Sequence, residues 1–399
     1  MANGVEPLGD PAAATALRPE NHKPRDGGSA RSLAIQWRMW RNRQIGSQRF
    51  RHWMARLPWT RWLAQRKANQ LFQLVAGFTQ TQILTTCVRL DLFAHLDGCA
   101  QTTEQLARTC KLEAARMREV LELAQHLNLV IEIQPNSWML DDAGAVLASD
   151  RGLREMIRHH EILYRDLQDP VALWRNETTD TGLRRYWAYV RTQTPAECPD
   201  SAVAPYTALM RESQAMLADC ILSSHDFARY QSVLDIGGGD GAFLSALGNR
   251  YHALKLGLFD LPAVATAAET QISLAGMADR TRIHGGDFFE DMIPPDFACV
   301  TLLRVLCDHE DDRVRRLLAN LHRSLAPGTH LVIAEAMAGP SSGERLAAAY
   351  FGIYFRAMGS GRCRTAGEIS TLLRDSGFQN PQIISTVNPL LATLITAAR

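Results

Sequence analysis

The sequence predicts an α/β fold, a C-terminal parallel sheet wound on both faces by helices and preceded by a smaller helical domain. Two observations carry this expectation. From Ser232 onward, apolar runs of strand length alternate with helical stretches. Before that, residues 102–140 read as helix, helix and hairpin, a winged-helix pattern.

Composition sets the frame. The chain has 399 residues, 46% hydrophobic and 21% charged, enough for two or three domains with ordinary cores. A formal net charge of +1 conceals a local imbalance. Residues 27–90 hold eleven Lys or Arg, five of the eight Trp, and no Asp or Glu. No apolar run is long enough to span a membrane as a helix. Residues 1–30 lack the apolar core of a signal peptide and are expected to be disordered. The eight cysteines form no CxxC pair, and none has zinc-ligand spacing with a histidine. Reduced thiols and no metal are therefore expected.

Residues 31–68 form a basic aromatic arm. Trp37, Trp40, Trp53, Trp59 and Trp62 stand among arginines, and Pro58 should break or kink any helix there. Two roles stay open. The arm could dock on its own protein or a partner subunit. It could instead meet an anionic membrane surface, where Trp favours the headgroup region.

Residues 69–98 show helical periodicity through Leu71, Leu74, Val75, Phe78, Ile83 and Leu84. In TTEQLARTCKL, Thr102 or Thr103 can cap a short helix. EAARMREVLELAQHLNLV gives a second helix, and IEIQPNSWML a hairpin around Pro135, Asn136 and Ser137. Such a unit can bind DNA, but acids among the bases of its second helix suit a groove poorly. A structural or dimer-forming role for 69–180 and no nucleic-acid partner are expected. A helical linker is expected over 181–215. MIRHHEILYRDL and TGLRRYWAYV add His159, His160, Tyr164, Tyr186, Trp187 and Tyr189, as core or pocket wall.

The sheet domain is placed at 216–399. Its strands are SVLDI, LKLGLFD, TRIHGGDF, FACVTLLRVL and THLVIAEA. Ligands of such sheets sit at the carboxyl ends of the strands. The first strand runs into VLDIGGGDGAF, where Gly237 and Gly239 make a tight turn that backbone and ligand can share closely. A glycine turn alone also fits a dinucleotide. Acids ending three successive strands separate the two. Asp235 would repel a pyrophosphate but can orient the polar end of a methionine moiety. Asp260 can accept ribose hydroxyls. Asp287 can accept from an adenine amino group, with Phe288 covering the ring. S-adenosylmethionine (SAM) is the cofactor this favours. Leu261 and Arg304 complete the expected cofactor set.

VLDIGGGDGAF, LFDLPAVA, GGDFFED, RVLCDHEDD and LAPGTHLVIAEAMAG resemble the motifs of class I SAM-dependent small-molecule O-methyltransferases. That resemblance covers about residues 70–399. It implies a Rossmann-like SAM-dependent methyltransferase domain behind a winged-helix dimerisation domain, and hence a homodimer. LFQLVAGFTQTQILTTCVRLDLF, HHEILYRDLQDPVALWR, RYWAYV and YFGIYFRAMGSGRCRTAGEI are similar to the carotenoid O-methyltransferases of purple phototrophic bacteria, the demethylspheroidene or hydroxyneurosporene type. The basic arm is similar to their N-terminal extension. The implied reaction methylates the tertiary 1-hydroxyl of an acyclic carotenoid. The implied setting is cytoplasmic, with peripheral contact to the inner, photosynthetic membrane through 31–68. An apolar pocket is then expected, with His160, Tyr164, Tyr350, Tyr354 and Met358 as its walls.

The chain departs from the larger family at one position. There the fourth strand ends in His-Asp-Trp, whose His is the base for a phenol. Here Cys307 stands in place of that His, and His309 in place of the Trp. Three ways to handle the proton stay open. His309 could be the base. Cys307 could line the site as a small neutral group. Orientation alone could supply most of the rate. On the first, replacing His309 should reduce turnover by roughly 10²-fold or more, while Cys307→Ser should leave much of it. Rival substrates are a phenol or a tetrapyrrole carbon. Rival classes are a SAM-responsive winged-helix regulator and a dehydrogenase.

Overall fold

Pro58 separates two helices of the arm. Gln48–Arg56 ends before Leu57, and Pro58–Arg89 begins at the proline. A proline fits the first helical position because the N–H it lacks has no intrahelical partner there. A further helix, Gly28–Gly46, precedes them. The computed structural model describes residues 28–187 and 216–399. The disorder expected for 1–27 and most of the linker expected at 181–215, with Tyr189 and Cys198, lie outside the described residues. Residues 28–30, also expected to be disordered, open the first helix. The chain divides into two compact units between Gln80 and Thr81, within Pro58–Arg89.

In the larger unit, Thr102 is the cap. Its Oγ1 accepts from the backbone N–H of Gln105 at 3.3 Å, and Gln105 Oε1 accepts from the N–H of Thr102 at 2.7 Å. This reciprocal box fixes the start of helix Thr103–Thr109. Helix Ala114–His126 follows, and then a hairpin of β2 (Val130–Gln134) and β3 (Ser137–Leu140). Asn136 takes φ 65°, a left-handed turn conformation that Asn tolerates. β3 also pairs with the short β1 (Gln101–Thr102), giving the antiparallel order β1-β3-β2. Trp138 is fully buried among Leu106, Met117 and Leu121, and its Nε1–H donates to Thr103 Oγ1 at 3.1 Å. Full burial of each such leucine stabilises by about 1.5–3 kcal/mol.

The C-terminal sheet has seven strands: β4 (Ser232–Ile236), β5 (Lys255–Asp260), β6 (Thr281–Gly285), β7 (Cys299–Leu303), β8 (His330–Glu335), β9 (Gln379–Ile384) and β10 (Thr393–Ala398). Their order is β6-β5-β4-β7-β8-β10-β9. β4 to β8 are mutually parallel, as expected. Two strands not expected from the sequence extend one edge, where β10 runs antiparallel to both β8 and β9. β9, QNPQII, is a largely exposed edge strand without an apolar run, so it carries no periodic signal. β4 and β7 are buried at every position, because helices cover both faces. Alternation along β4 sorts its side chains. Val233 packs with Phe243 and Leu244 on one face, while Leu234 and Ile236 join Val314, Leu317 and Leu321 on the other. β4 neighbours β5 on one side and β7 on the other, so the order reverses at its carboxyl end. That reversal opens a crevice where ligands bind in such sheets.

Candidate active site

The glycine turn leaves β4 at this switch point. Gly237, Gly239 and Gly241 all have positive φ, which side-chain-bearing residues rarely adopt. A Cβ at Gly237 would lie 2.8 Å from Val305 Cγ2 and 3.8 Å from the Phe288 ring. A Cβ at Gly239 would meet nothing within 4 Å. The turn thus shows bare backbone to open space beside an aromatic face, a cradle that suits the expected cofactor. The carboxylate of Asp260, at the end of β5, accepts from the N–H of Gly239 at 2.8 Å and of Leu261 at 2.7 Å. Leu261 caps helix Pro262–Leu274 through its backbone alone. Asp287 Oδ1 accepts from the N–H of Phe289 at 2.9 Å, setting the Phe288–Phe289 ring pair, whose centroids are 4.7 Å apart. Asp235 is buried and accepts from Thr301 Oγ1 of the neighbouring strand. Burial pushes its carboxyl up to about 7, against the Thr301 hydrogen bond. Asp260 is pushed up to about 6, again by burial.

β7 is followed by Arg304 at φ 57° and then a single 3-10 turn, Leu306–Asp308. Two buried groups hold this turn. Glu335 Oε1, at the end of β8, accepts from the N–H of Cys307 at 3.0 Å. Arg364 donates to the carbonyls of Leu306 at 2.7 Å and His309 at 2.6 Å, and to Asp311. A cavity of about 60 Å³ opens beside the turn, lined by Arg304, Cys307, Asp308, Tyr350, Tyr354 and His159 together with apolar side chains. Tyr354 OH accepts from Trp187 Nε1–H at 3.0 Å and lies 2.7 Å from His159 Nε2. Burial lowers His159 to about 4, so its imidazole is neutral and its Nε2 can accept the Tyr354 proton. Burial also raises the Asp308 carboxyl to about 7, offset by Arg304. It drives the Cys307 thiol well above its usual value.

An O-methyltransferase domain model matches residues 164–379, more than half the chain. The demethylspheroidene O-methyltransferase of Cereibacter sphaeroides is 38% identical over 357 residues, covering 90% of this chain and 94% of that protein. The chain belongs to the O-methyltransferase family. The demethylspheroidene O-methyltransferase of Rhodobacter capsulatus is 36% identical over 88% of each chain. Human N-acetylserotonin methyltransferase, solved in complex with SAM, superposes with a TM-score of 0.69 at 19% identity, over 84% of this chain and 97% of that one. That likeness carries the fold. This O-methyltransferase is a SAM-dependent enzyme.

Within this methyltransferase, the expected residues separate into groups. Asp235, Gly237, Gly239, Asp260, Leu261, Asp287 and Phe288 meet around the glycine turn. Arg304, Cys307, Tyr350 and Tyr354 meet at the cavity. His160, Tyr164 and Met358 are not among the cavity residues. His160 turns its Nε2 to Tyr350 OH at 2.6 Å, with the Tyr164 ring edge-on to its own. Met358 is fully buried among Leu163, Leu173 and Leu183. His309 also stands apart from the cavity. It leaves the turn in extended backbone, and its ring packs 5.1 Å from Phe289 and 6.0 Å from Phe288. Burial, with Arg313 and Arg364 nearby, lowers it to about 3, and its Nδ1 has no partner. Sequence reasoning left His159 open as core or wall and chose His160 for the wall; it missed Asp308 and Glu335. Met156 and His159 share one face of Arg151–Asp166, and both line the cavity. A lone acid ending the apolar strand THLVIAEA marks Glu335.

Proposed function

We propose that this enzyme methylates the tertiary 1-hydroxyl of an acyclic hydroxycarotenoid of the demethylspheroidene or hydroxyneurosporene type. The products are a methoxycarotenoid and S-adenosylhomocysteine. One observation carries the reading: Cys307 lines the cavity at the position where the family motif that the sequence resembles has its histidine base. A tertiary alcohol does not need prior ionisation, so a thiol held neutral by burial at that position is compatible with it. The names of the relatives at 36–38% identity support the same substrate class.

The residues around the glycine turn would hold SAM, which supplies an electrophilic methyl group. Asp235 and the turn would bind its methionine end, Asp260 its ribose, and Asp287 with Phe288 its adenine. Tyr350, Phe351 and Tyr354 would wall the alcohol. We assign the proton to Asp308. Its carboxyl lines the cavity and is tuned near neutrality, where a base is most effective. It would take the hydroxyl proton as the oxygen–carbon bond forms. The helical domain 69–180 is the proposed winged-helix dimerisation module, and the proposed workplace is the cytoplasmic side of the membrane that dissolves the substrate.

The test is methyl transfer from labelled SAM to a 1-hydroxy acyclic carotenoid in detergent micelles, beside a phenol and a tetrapyrrole. Label is expected in a carotenoid methyl ether. Label in the phenol or tetrapyrrole alone would overturn the substrate class.

A further inference from the structure

We propose that the basic, tryptophan-rich arm, residues 28–80, is a docking surface for an anionic phospholipid bilayer. The inference rests on the arm itself and is independent of which alcohol the enzyme methylates.

The arm contains ten Lys or Arg and no carboxylate of its own. Its tryptophans face outward: Trp37, Trp40, Trp53, Trp59 and Trp62 are 57%, 58%, 56%, 77% and 64% exposed. Each helix carries the same device. Leu33, Trp37 and Trp40 lie at i, i+4 and i+7, flanked by Arg38, Arg41 and Arg43. Phe50, Trp53 and Met54 lie at i, i+3 and i+4, between Arg49, Arg51 and Arg56. Trp59, Trp62 and Leu63 repeat that spacing beside Arg61, Arg66 and Lys67. The Arg41 guanidinium stands 5.7 Å over the Trp37 ring, and Arg66 5.5 Å over Trp62.

This chemistry selects one occupant. Arginine matches phosphate oxygens with a planar fork. A Trp ring, apolar with one polar N–H, is most stable at the headgroup level. Nucleic acid would also attract the charge and stack on aromatic faces. It has no use for the aliphatic side chains exposed on the same helices, Leu33, Ile35, Met39 and Leu63. Those belong in the acyl boundary below the headgroups. An arm laid on the same arm of a second copy would bring twice the positive charge together with no carboxylate between. None of the described helices is long and apolar enough to cross a membrane, so contact of these helices is with the surface.

The experiment is flotation of the full chain with vesicles of phosphatidylcholine alone or mixed with phosphatidylglycerol, without carotenoid. At least about tenfold stronger partition is expected into the anionic vesicles, falling several-fold as salt rises toward ~0.5 M. Tryptophan emission should shift to the blue on binding. Replacing Trp53, Trp59 and Trp62 by Ala should cost about tenfold or more in partition. A second variant, Arg49→Gln with Arg51→Gln and Arg56→Gln, should erase the anionic preference. Circular dichroism and turnover in detergent micelles should stay unchanged for both. Equal partition into neutral and anionic vesicles would overturn the proposal. So would arm-dependent binding to single-stranded DNA or self-association with no lipid binding. Because partition is read without substrate, failure here leaves the methylation reading standing, and failure of methylation in micelles leaves this one standing.

Discussion

The backbone N–H of Gly239 donates to Asp260 Oδ2 at 2.8 Å, tying the glycine turn after β4 to the carboxylate that ends β5. The other oxygen of Asp260 accepts from Leu261 at 2.7 Å. One side chain therefore sets the shape of the cofactor cradle from a neighbouring strand. The turn alone could not hold this shape, because its glycines are the residues with the most conformational freedom.

Replacing Asp260 by Ala removes an acceptor from two backbone donors and a proposed contact to the cofactor. Hydrogen bonds to a charged group are worth about 1.5–3 kcal/mol. The affinity for S-adenosylhomocysteine, measured by titration calorimetry, should fall about tenfold to a hundredfold. Unchanged affinity would remove Asp260 from the cofactor site.

Turnover separates the proton acceptors. Asp308→Asn should lower it by about 10²-fold in saturating SAM, and Cys307→Ser should stay close to the parent. The hundredfold loss expected from the sequence for His309 moves to Asp308, because His309 packs against Phe289 while Asp308 lines the cavity. The pH profile adds a check. A carboxyl pushed up to about 7 is protonated below that value and cannot accept a proton. Turnover should therefore rise with pH through about 7 in the parent, and Asp308→Asn should lack that limb. A full-rate Asp308→Asn enzyme would discard the assignment.

These expectations show which parts of the site were legible in the sequence. The acids ending β4 and β5 were legible, because a strand-turn-helix order fixes where a terminal carboxylate stands. So was the Thr102 cap, whose box is local. β9 was not legible, since an exposed edge strand carries no apolar period. His159 and His160 could not be told apart by residue type alone. They are adjacent on a helix and so point about 100° apart. Only tertiary packing decides which one meets the cavity. His309 illustrates the same limit: two residues from Cys307 in sequence, it lies beyond a 3-10 turn that sends its ring to Phe289.

Tyr354 joins helix Ser342–Met358 to the helices that precede the sheet, at the cavity wall. Its hydroxyl serves His159 Nε2 at 2.7 Å and Trp187 Nε1 at 3.0 Å, both from the chain before the sheet. Tyr354→Phe takes away the partner that these groups share. Losing a buried partner costs about 1–3 kcal/mol. Thermal unfolding should shift down by a few degrees, and KM for the alcohol should rise more than kcat falls. An unshifted transition would show that these bonds do not hold the wall.

Asp235 ties stability to pH. Its carboxyl is buried and pushed up to about 7, above the usual carboxylate range of the unfolded chain. Between about pH 4 and 7 the folded state holds a proton that the unfolded state has released. Stability is greatest below the unfolded value and is lost as pH rises through the folded one, by about 1.4 kcal/mol for each pH unit. Buried histidines act in the opposite direction over part of this window, since His159 and His309 are lowered to about 4 and 3. The whole-protein profile therefore mixes the two, and a variant isolates one. Asp235→Asn is neutral at every pH, and its side-chain oxygen can still accept from Thr301. Urea unfolding without SAM, at pH 4.5 and at pH 8, gives the variant's stability relative to the parent. That difference should move in the variant's favour by several kcal/mol between the two pH values. A difference that does not change with pH would mean that Asp235 keeps an ordinary carboxylate pKa in the folded state.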